Sequence, residues 1–121
     1  MPETTRFLQL SEPRRLLVRL CQFVQFGQIL GVQVRGGEPV FQPEPTVVLD
    51  LKLDCDKAPR SELELTDFVL RKEINRLMTQ LDALEDGCVA RIDVNAGIPR
   101  RILVEAKLSE LKLWKWNAKH T

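Results

Sequence analysis

One run of apolar residues constrains the fold of this chain more than any other feature. Between Leu70 and Leu84, apolar side chains recur at steps of four, three, four and three residues, at Leu70, Ile74, Leu77, Leu81 and Leu84. This spacing places them in one stripe along a helix, and such a stripe is stable in water only when it packs on an apolar surface. Thr66 can cap the helix, and Gly87 follows it where a left-handed residue often ends one. The sequence therefore predicts a main helix over residues 66–85.

The residues before this helix alternate with the period of two that is typical of strands. Residues 26–34 predict one strand, whose apolar face carries Phe26, Leu30, Val32 and Val34. Gly36 and Gly37 supply the tight reversal of a hairpin, and Pro43 and Pro45 restrict the returning strand to a short or edge position. Residues 46–54 predict a further strand, whose buried side carries Val47, Leu49, Leu51 and Leu53.

The residues after the helix predict a second hairpin. Two alternating segments, 89–94 and 101–106, flank the turn residues Asn95, Ala96 and Gly97. The predicted fold is α+β: an antiparallel sheet of about four strands in the order β-β-α-β-β, with one main helix packed on one face. The other face is expected to be wet or covered by a second copy, which makes a homodimer a reasonable hypothesis.

The chain length of 121 residues suits a single domain. We assign residues 23–107 to this α+β domain, residues 1–22 to a polar N-terminal extension, and residues 108–121 to a basic, tryptophan-containing segment. Within the extension, Ser11 and Pro13 are typical of a helix start and predict a short helix to about Cys21. Its apolar residues, Leu16, Leu17, Val18 and Leu20, do not form one clean stripe.

The three cysteines indicate a reducing compartment. Cys21, Cys55 and Cys88 are odd in number and lie 34 and 33 residues apart, which fits neither a zinc knuckle nor a redox pair. The near-equal spacing suggests a repeat, but the residues around the three cysteines share nothing, so no repeat is predicted. The N-terminus lacks the pattern of a secretion signal and no apolar run is long enough to span a bilayer, so we expect a cytoplasmic protein.

Several short segments between residues 26 and 105 carry a resemblance to known proteins. They are Phe26-Gly27-Gln28-Ile29, the turn Val34-Arg35-Gly36-Gly37-Glu38-Pro39-Val40, Pro43-Glu44-Pro45, Asp67-Phe68-Val69-Leu70-Arg71-Lys72 and Ile92-Asp93-Val94-Asn95-Ala96-Gly97-Ile98-Pro99. This stretch resembles a small uncharacterised family of short bacterial proteins of unknown function. The resemblance implies no activity and no catalytic or binding residue.

The net charge of +1 hides an uneven distribution of charge along the chain. Both ends are basic, whereas residues 44–86 carry eleven acidic and six basic side chains. Oppositely charged segments of one fold, or of neighbouring protomers, attract each other and favour solubility. The chain as a whole lacks the strongly basic balance of a nucleic-acid-binding domain, so contacts within the protein are the favoured explanation.

Two groups of residues are candidate contacts for a partner. In the C-terminal segment, Trp114 and Trp116 alternate with lysines at positions 112, 115 and 119. This pattern suits either a protein interface or the stacking of nucleic-acid bases. In the N-terminal segment, Arg15 and Arg19 are one helical turn apart and form a basic strip. Protein contact or self-packing is favoured for the tryptophans, and a solvated face for the arginines.

The sequence offers no recognisable catalytic, cofactor or metal site. His120 lies next to the chain end, where it is a poor general base, and no glycine-rich phosphate loop or nucleophile motif is present. The densest acidic cluster, Asp54, Asp56, Glu62 and Glu64, lacks the ligand order of a calcium loop. We therefore expect a small non-catalytic interaction or structural module that self-associates or binds a protein partner. The alternative is a nucleic-acid-binding accessory protein that uses its basic termini.

Overall fold

The computed structural model describes residues 6–54 and 67–105. In chain order its elements are a short 3-10 helix Phe7–Gln9, α1 Glu12–Val24, β1 Phe26–Arg35, β2 Glu38–Val40, β3 Thr46–Leu49, α2 Lys72–Leu84, β4 Gly87–Asn95 and β5 Ile98–Glu105. The fold is α+β, as predicted, with two helices and a five-stranded antiparallel sheet.

Strands β1 and β4 form the centre of the sheet. They pair antiparallel along most of their length, with Ile29 opposite Ile92 and Val32 opposite Val89. Strand β5 pairs with the other side of β4, whereas β2 and β3 both pair with the other side of β1. Both predicted hairpins are confirmed, since β1–β2 and β4–β5 each turn through two residues, Gly36-Gly37 and Ala96-Gly97.

Both helices pack on one face of this sheet and share one core with it. The buried side chains include Leu17, Val18, Cys21 and Val24 of α1, Ile74, Leu77, Met78 and Leu81 of α2, and Ile29, Val32, Val34, Val89, Ile92 and Val94 of the central strands. Helix α1 begins as predicted, because the Ser11 side chain accepts from the Arg14 backbone N–H at 3.4 Å. Since α1 contributes to the core, residues 12–22 belong to the packed domain, in contrast to the predicted boundary at residue 23.

The main helix is confirmed, but it begins at Lys72 rather than at residue 66. The residues before it are held extended by the N-terminal segment, where Phe7 N–H donates to the Phe68 carbonyl at 2.7 Å and the Phe7 and Phe68 rings stack. Asp67 does not lie at the helix start and instead accepts hydrogen bonds from Arg6 and from the Leu8 N–H. The proposed cap, Thr66, lies outside the described residues.

The predicted apolar face of β1 is wrong at its first half. The buried residues are Ile29, Val32 and Val34, while Leu30 is only half-buried. Buried positions three residues apart break the strict alternation of a strand, and the break lies at Gly31, where φ is 77°. Strict alternation counted backwards from Val34 therefore assigns every residue before Gly31 to the opposite face.

The described chain consists of two similar units. The first unit is α1 with β1, β2 and β3, and the second unit is α2 with β4 and β5. Each helix is followed by a left-handed residue, Gln25 at φ 65° and Glu85 at φ 59°, and each hairpin turn ends in a left-handed glycine, Gly37 and Gly97. Equivalent residues are sixty positions apart. The cysteine spacing does not mark this repeat, in agreement with its rejection, because Cys21 and Cys88 occupy unrelated positions of the two units, and Cys55 lies outside the described residues. The sixty-residue repeat itself was not predicted.

Candidate protein-binding surface

Helix α1 carries apolar side chains on two of its faces. The inner face packs in the core, where Leu17 has no exposed surface. The second face carries Leu16, Leu20 and Phe23, four and three residues apart, which places them in one line along the helix. Leu16 is 53% exposed and Phe23 is 67% exposed, whereas Leu20 is half-buried. We call these three residues the outer stripe.

The second unit lacks an outer stripe. Sixty positions along the chain, the residues equivalent to the outer stripe are the exposed Arg76, Gln80 and Ala83 on α2. Their helix has the same position on the sheet and the same type of buried face, with Leu77 and Leu81 in the core. The fold therefore does not require large apolar side chains at these positions, and their presence on α1 needs another explanation.

Strand β3 lies beside α1 at one edge of the sheet and is exposed along its whole length. All four of its residues are exposed, including Val47, Val48 and Leu49 at 37%, 43% and 42%. Leu51 and Leu53, which follow the strand, are more exposed still. The prediction that Val47, Leu49, Leu51 and Leu53 form a buried face is wrong, because the strand ends at Leu49 and the described part of neither helix covers it.

Two contacts define which backbone groups of β3 face β1. The Asp50 N–H donates to the Phe26 carbonyl at 2.8 Å. A Cβ atom added to Gly27 would lie 2.0 Å from the Val48 carbonyl oxygen, so that carbonyl also points towards β1. Backbone groups alternate in direction along a strand. The N–H and carbonyl groups of Val47 and Leu49 therefore point away from β1, at the outer edge of the sheet.

The sheet face opposite the helices is polar at its centre. Gln28 of β1 donates to Asp93 of β4 at 3.3 Å, and Arg91 lies 3.0 Å from the same carboxylate. Nearby, the Gln33 side chain donates to the Cys88 sulfur at 3.5 Å. The pKa of the Cys88 thiol is raised, first by desolvation and then by the charge of Glu105. This face suits solvent better than an apolar contact. The exposed large apolar side chains lie on α1 and in and after β3, with others at Leu8, Val69 and, on β5, Leu103 and Val104.

The residues proposed from the sequence as partner contacts fall partly within the described chain. Arg19 is engaged inside the protein, because its guanidinium lies 4.4 Å from the centre of the Phe7 ring and its Nη1 donates to Gln22 at 3.0 Å. Arg15 is half-exposed on α1. Lys112, Trp114, Lys115 and Trp116 lie outside the described residues.

The described side chains with chemical reactivity occupy structural positions. Cys21 is buried in the core, where desolvation raises its thiol pKa to about 12. Within residues 6–54 and 67–105, no three histidine, cysteine or acidic side chains are grouped so that they could hold a metal ion. Of the proposed acidic cluster, Asp54 is exposed, and Asp56, Glu62 and Glu64 lie outside the described residues.

Two shallow pockets of about 140 Å³ each lie elsewhere on the described surface. One is lined by Gln22, Phe68, Val69, Arg71, Ile74, Gly97 and Ile98, and the other lies between α2 and β5 beside Arg76, Arg100 and Arg101. Both are smaller than the pockets of several hundred Å³ that enclose most small ligands. Neither brings reactive side chains together.

Sequence analysis missed the outer stripe and the exposure of β3. The four- and three-residue steps from Leu16 to Phe23 are visible in the sequence. Because the buried residues of the inner face alternate with them along α1, neither face shows as a separate apolar stripe. No described helix is long and apolar enough to cross a membrane.

Comparison with known proteins adds no relative. No protein-family model matches the chain, and neither the curated proteins nor the solved structures include a significant match to it. The resemblance to a family of short bacterial proteins therefore stays a prediction.

Proposed function

We propose that this chain is a small non-catalytic interaction module that self-associates or binds a protein partner through the outer stripe of α1 and strand β3. One observation carries the proposal: Leu16 and Phe23 are exposed at positions where the second unit has a polar or small side chain. Exposed leucine and phenylalanine side chains lose the free energy of burial, about 2 kcal/mol each, unless another surface covers them.

The location of these residues also supports an interface. The outer stripe lies on α1, the helix that contacts β3, so the two elements that carry these exposed apolar side chains are neighbours. Aromatic and leucine side chains at the centre of such a patch are typical of protein interfaces, and the surrounding charges, such as Asp50 and Lys52, resemble a polar rim. Trp114 and Trp116 are proposed as further contacts of the same kind.

A reducing cytoplasmic location fits this role. Cys21 and Cys88 are both free thiols, and Cys21 is part of the apolar core rather than of a crosslink. Stability in this domain therefore depends on packing, which a reducing compartment leaves intact.

Nucleic-acid binding is the second candidate function. The observation in its favour is a group of exposed basic residues on the second unit, at Arg71, Lys72, Arg76, Arg100 and Arg101. One of these charges is compensated, because Arg100 lies 2.9 Å from Glu73. Binding that depends on this group should weaken steeply as the salt concentration rises.

The test compares one substitution in the outer stripe with its equivalent in the second unit. Phe23→Glu places a charge at the exposed apolar position, and Ala83→Glu places the same charge at the equivalent position of α2. Sedimentation velocity measures self-association, and affinity purification from native extract, with and without nuclease, measures retained partners. We expect Phe23→Glu to lose the self-associated or partner-bound species and Ala83→Glu to keep it.

Other outcomes decide against the proposal. If both variants sediment and retain partners like the wild-type chain, the outer stripe is not an interface. Retention that disappears with nuclease and with charge removal at Arg76 and Arg101, and not with Phe23→Glu, would favour nucleic-acid binding instead.

A further inference from the structure

We propose that β3 pairs with β3 of a second copy of this chain, antiparallel and in the register that places Val48 opposite Val48. This inference rests on the proposed function, because it names the partner of the same surface. It joins two sheets edge to edge and brings the two outer stripes to the same side of the joined sheets. Four observations support it: the outward-pointing backbone groups of β3, the charges that flank it, the proline that precedes it and its exposed side chains.

The backbone of β3 is ready to form this pair. Val47 and Leu49 direct their N–H and carbonyl groups away from β1, as the contacts of Val48 and Asp50 require. Within the described chain, β3 pairs with β1 and its outer edge has no strand partner. With Val48 on the twofold axis, Val47 of each copy lies opposite Leu49 of the other, so all the outward groups of these residues can form hydrogen bonds. A register shifted by half a step would set outward groups against inward ones.

The charged residues that flank β3 favour one of the registers that the backbone allows. Pairing about Val48 brings Glu44 of one copy to the position that matches Lys52 of the other, just beyond each end of the ladder, and opposite charges at matching positions attract. Pairing about Val47 would set Glu44 opposite Asp50, and pairing about Leu49 would set it opposite Asp54. Both of these alternatives place like charges together, which is unfavourable.

Pro45 limits the length of the ladder between the two copies. Pro45 has no N–H to donate, so the ladder ends beyond the Val47 and Leu49 pairs, and the contact between copies stays short. A two-stranded ladder of this length is weak without side-chain packing. Val47 lies opposite the buried Ile29 of β1, so its side chain is on the helix side of the sheet, next to α1. Apolar contacts there supply the remaining stability, and we expect a reversible dimer.

A disulfide crosslink tests the register directly. In the Cys55→Ser, Cys88→Ser background the remaining Cys21 is buried, with its pKa raised to about 12, and does not react. At a facing position without hydrogen bonds the Cα atoms are about 4.5 Å apart, within the range that a disulfide bridges. We expect Val48→Cys to form a crosslinked dimer under mild oxidation. In the matched control, Thr46→Cys, the two sulfurs belong to residues about 13 Å apart along the strands. It should not crosslink alone, but should crosslink when mixed with the Asp50→Cys chain.

A charge swap tests the same register without cysteines. Glu44→Lys and Lys52→Glu, each alone, turn two attractive pairs of the dimer into repulsive ones and should weaken the dimer roughly tenfold. The double variant restores both pairs and should return the dissociation constant to within roughly threefold of wild type. High salt should reduce the difference between the single and double variants.

The outcomes separate this inference from the proposed function. A dimer that Phe23→Glu dissociates, but that neither crosslinks through Val48→Cys nor responds to the charge swap, overturns the β3 pair and leaves the interaction module standing. A crosslink at Thr46→Cys alone overturns the register. A chain that is monomeric at high concentration and retains another protein through Phe23 overturns self-pairing only. Indifference to every substitution, Phe23→Glu included, rejects both proposals.

Discussion

The guanidinium of Arg14 donates to the carboxylate of Asp82 and so joins the first turn of α1 to the last turns of α2. The same nitrogen donates to the Gly37 carbonyl at 2.7 Å, and Nε lies 3.4 Å from Glu38. Although charged, this side chain is only 13% exposed. Arg14 therefore connects both helices and the β1–β2 turn. This polar contact joins the two units in addition to the apolar packing of the core.

Replacing Arg14 by alanine should destabilise the protein by about 1–3 kcal/mol, because a partly buried carbonyl and two carboxylates lose their charged donor. The neighbouring Arg15→Ala is the control. It removes the same side chain from a more exposed position of the same helix and should change the free energy of unfolding by less than about 0.5 kcal/mol. Urea denaturation of the two variants measures the difference. Equal stability of both would mean that the Arg14 contacts contribute nothing net.

Asp67 should make stability depend on pH at the acid end. The Arg6 hydrogen bond, then the Leu8 N–H, lower its pKa below the ordinary value of 3.8. Because the folded pKa is lower than the unfolded one, the stabilisation is complete above the ordinary value and is lost as the pH falls through the folded pKa. The Asp67→Asn variant should therefore lose less stability on acidification than the wild type, as measured by thermal unfolding at several pH values.

The matching substitution on the other side of this pair is Arg6→Gln. It removes the main cause of the shift and should flatten the acid dependence in the same way. If the interaction is the cause, the double variant should show no further flattening. A wild-type acid profile in either single variant would place the cause elsewhere.

Much of the fold could be predicted from local pattern. The stripe from Ile74 to Leu84 and the glycine turns at residues 36–37 and 96–97 gave the helix and both hairpins, because each depends on nearby residues alone. The start of α2 could not be predicted in this way. It depends on Arg6 and Phe7, which lie about sixty residues earlier and hold residues 67–70 extended. Contacts over such a distance leave no periodic signal in the sequence.

The candidate surface was less predictable, for a physical reason. Alternation shows that one face of a segment is apolar, but it does not show whether another element covers that face. Val47 and Leu49 alternate like buried strand residues and are nevertheless exposed, because the described part of neither helix covers β3. Leu16 and Phe23 could not be recognised as a separate surface, because buried apolar residues are adjacent to them in the sequence. The comparison of equivalent positions in the two units, rather than hydrophobicity alone, identified them.

Gly27→Ala should detach β3 from the sheet. The added methyl group would lie 2.0 Å from the Val48 carbonyl oxygen, so β3 must move. Amide exchange of the Asp50 N–H, which donates to the Phe26 carbonyl, should become faster, and self-association through β3 should weaken.

Gly31→Ala is the control. A methyl group there meets no atom within 4 Å and costs only the left-handed backbone, about 1 kcal/mol. Its Asp50 exchange should therefore match that of the wild type after correction for global stability. An unchanged Asp50 exchange in Gly27→Ala would contradict the close approach of β1 and β3.

Leu16 and Leu17 are adjacent on α1 and should respond to alanine in opposite ways. Leu17 has no exposed surface, so Leu17→Ala leaves a cavity in the core and should cost about 2–5 kcal/mol of unfolding free energy. Leu16 is 53% exposed, and Leu16→Ala should change that free energy by less than about 1 kcal/mol. Helix propensity is the same for both changes, so it does not account for the contrast.

Self-association should follow the reverse order. Under native conditions, a folded Leu17→Ala chain should retain its association, while Leu16→Ala should weaken it several-fold, because it removes apolar surface only from the outer stripe. Sedimentation and denaturation of the same two samples measure both quantities, and parallel losses in the two assays would mean that α1 serves the core alone.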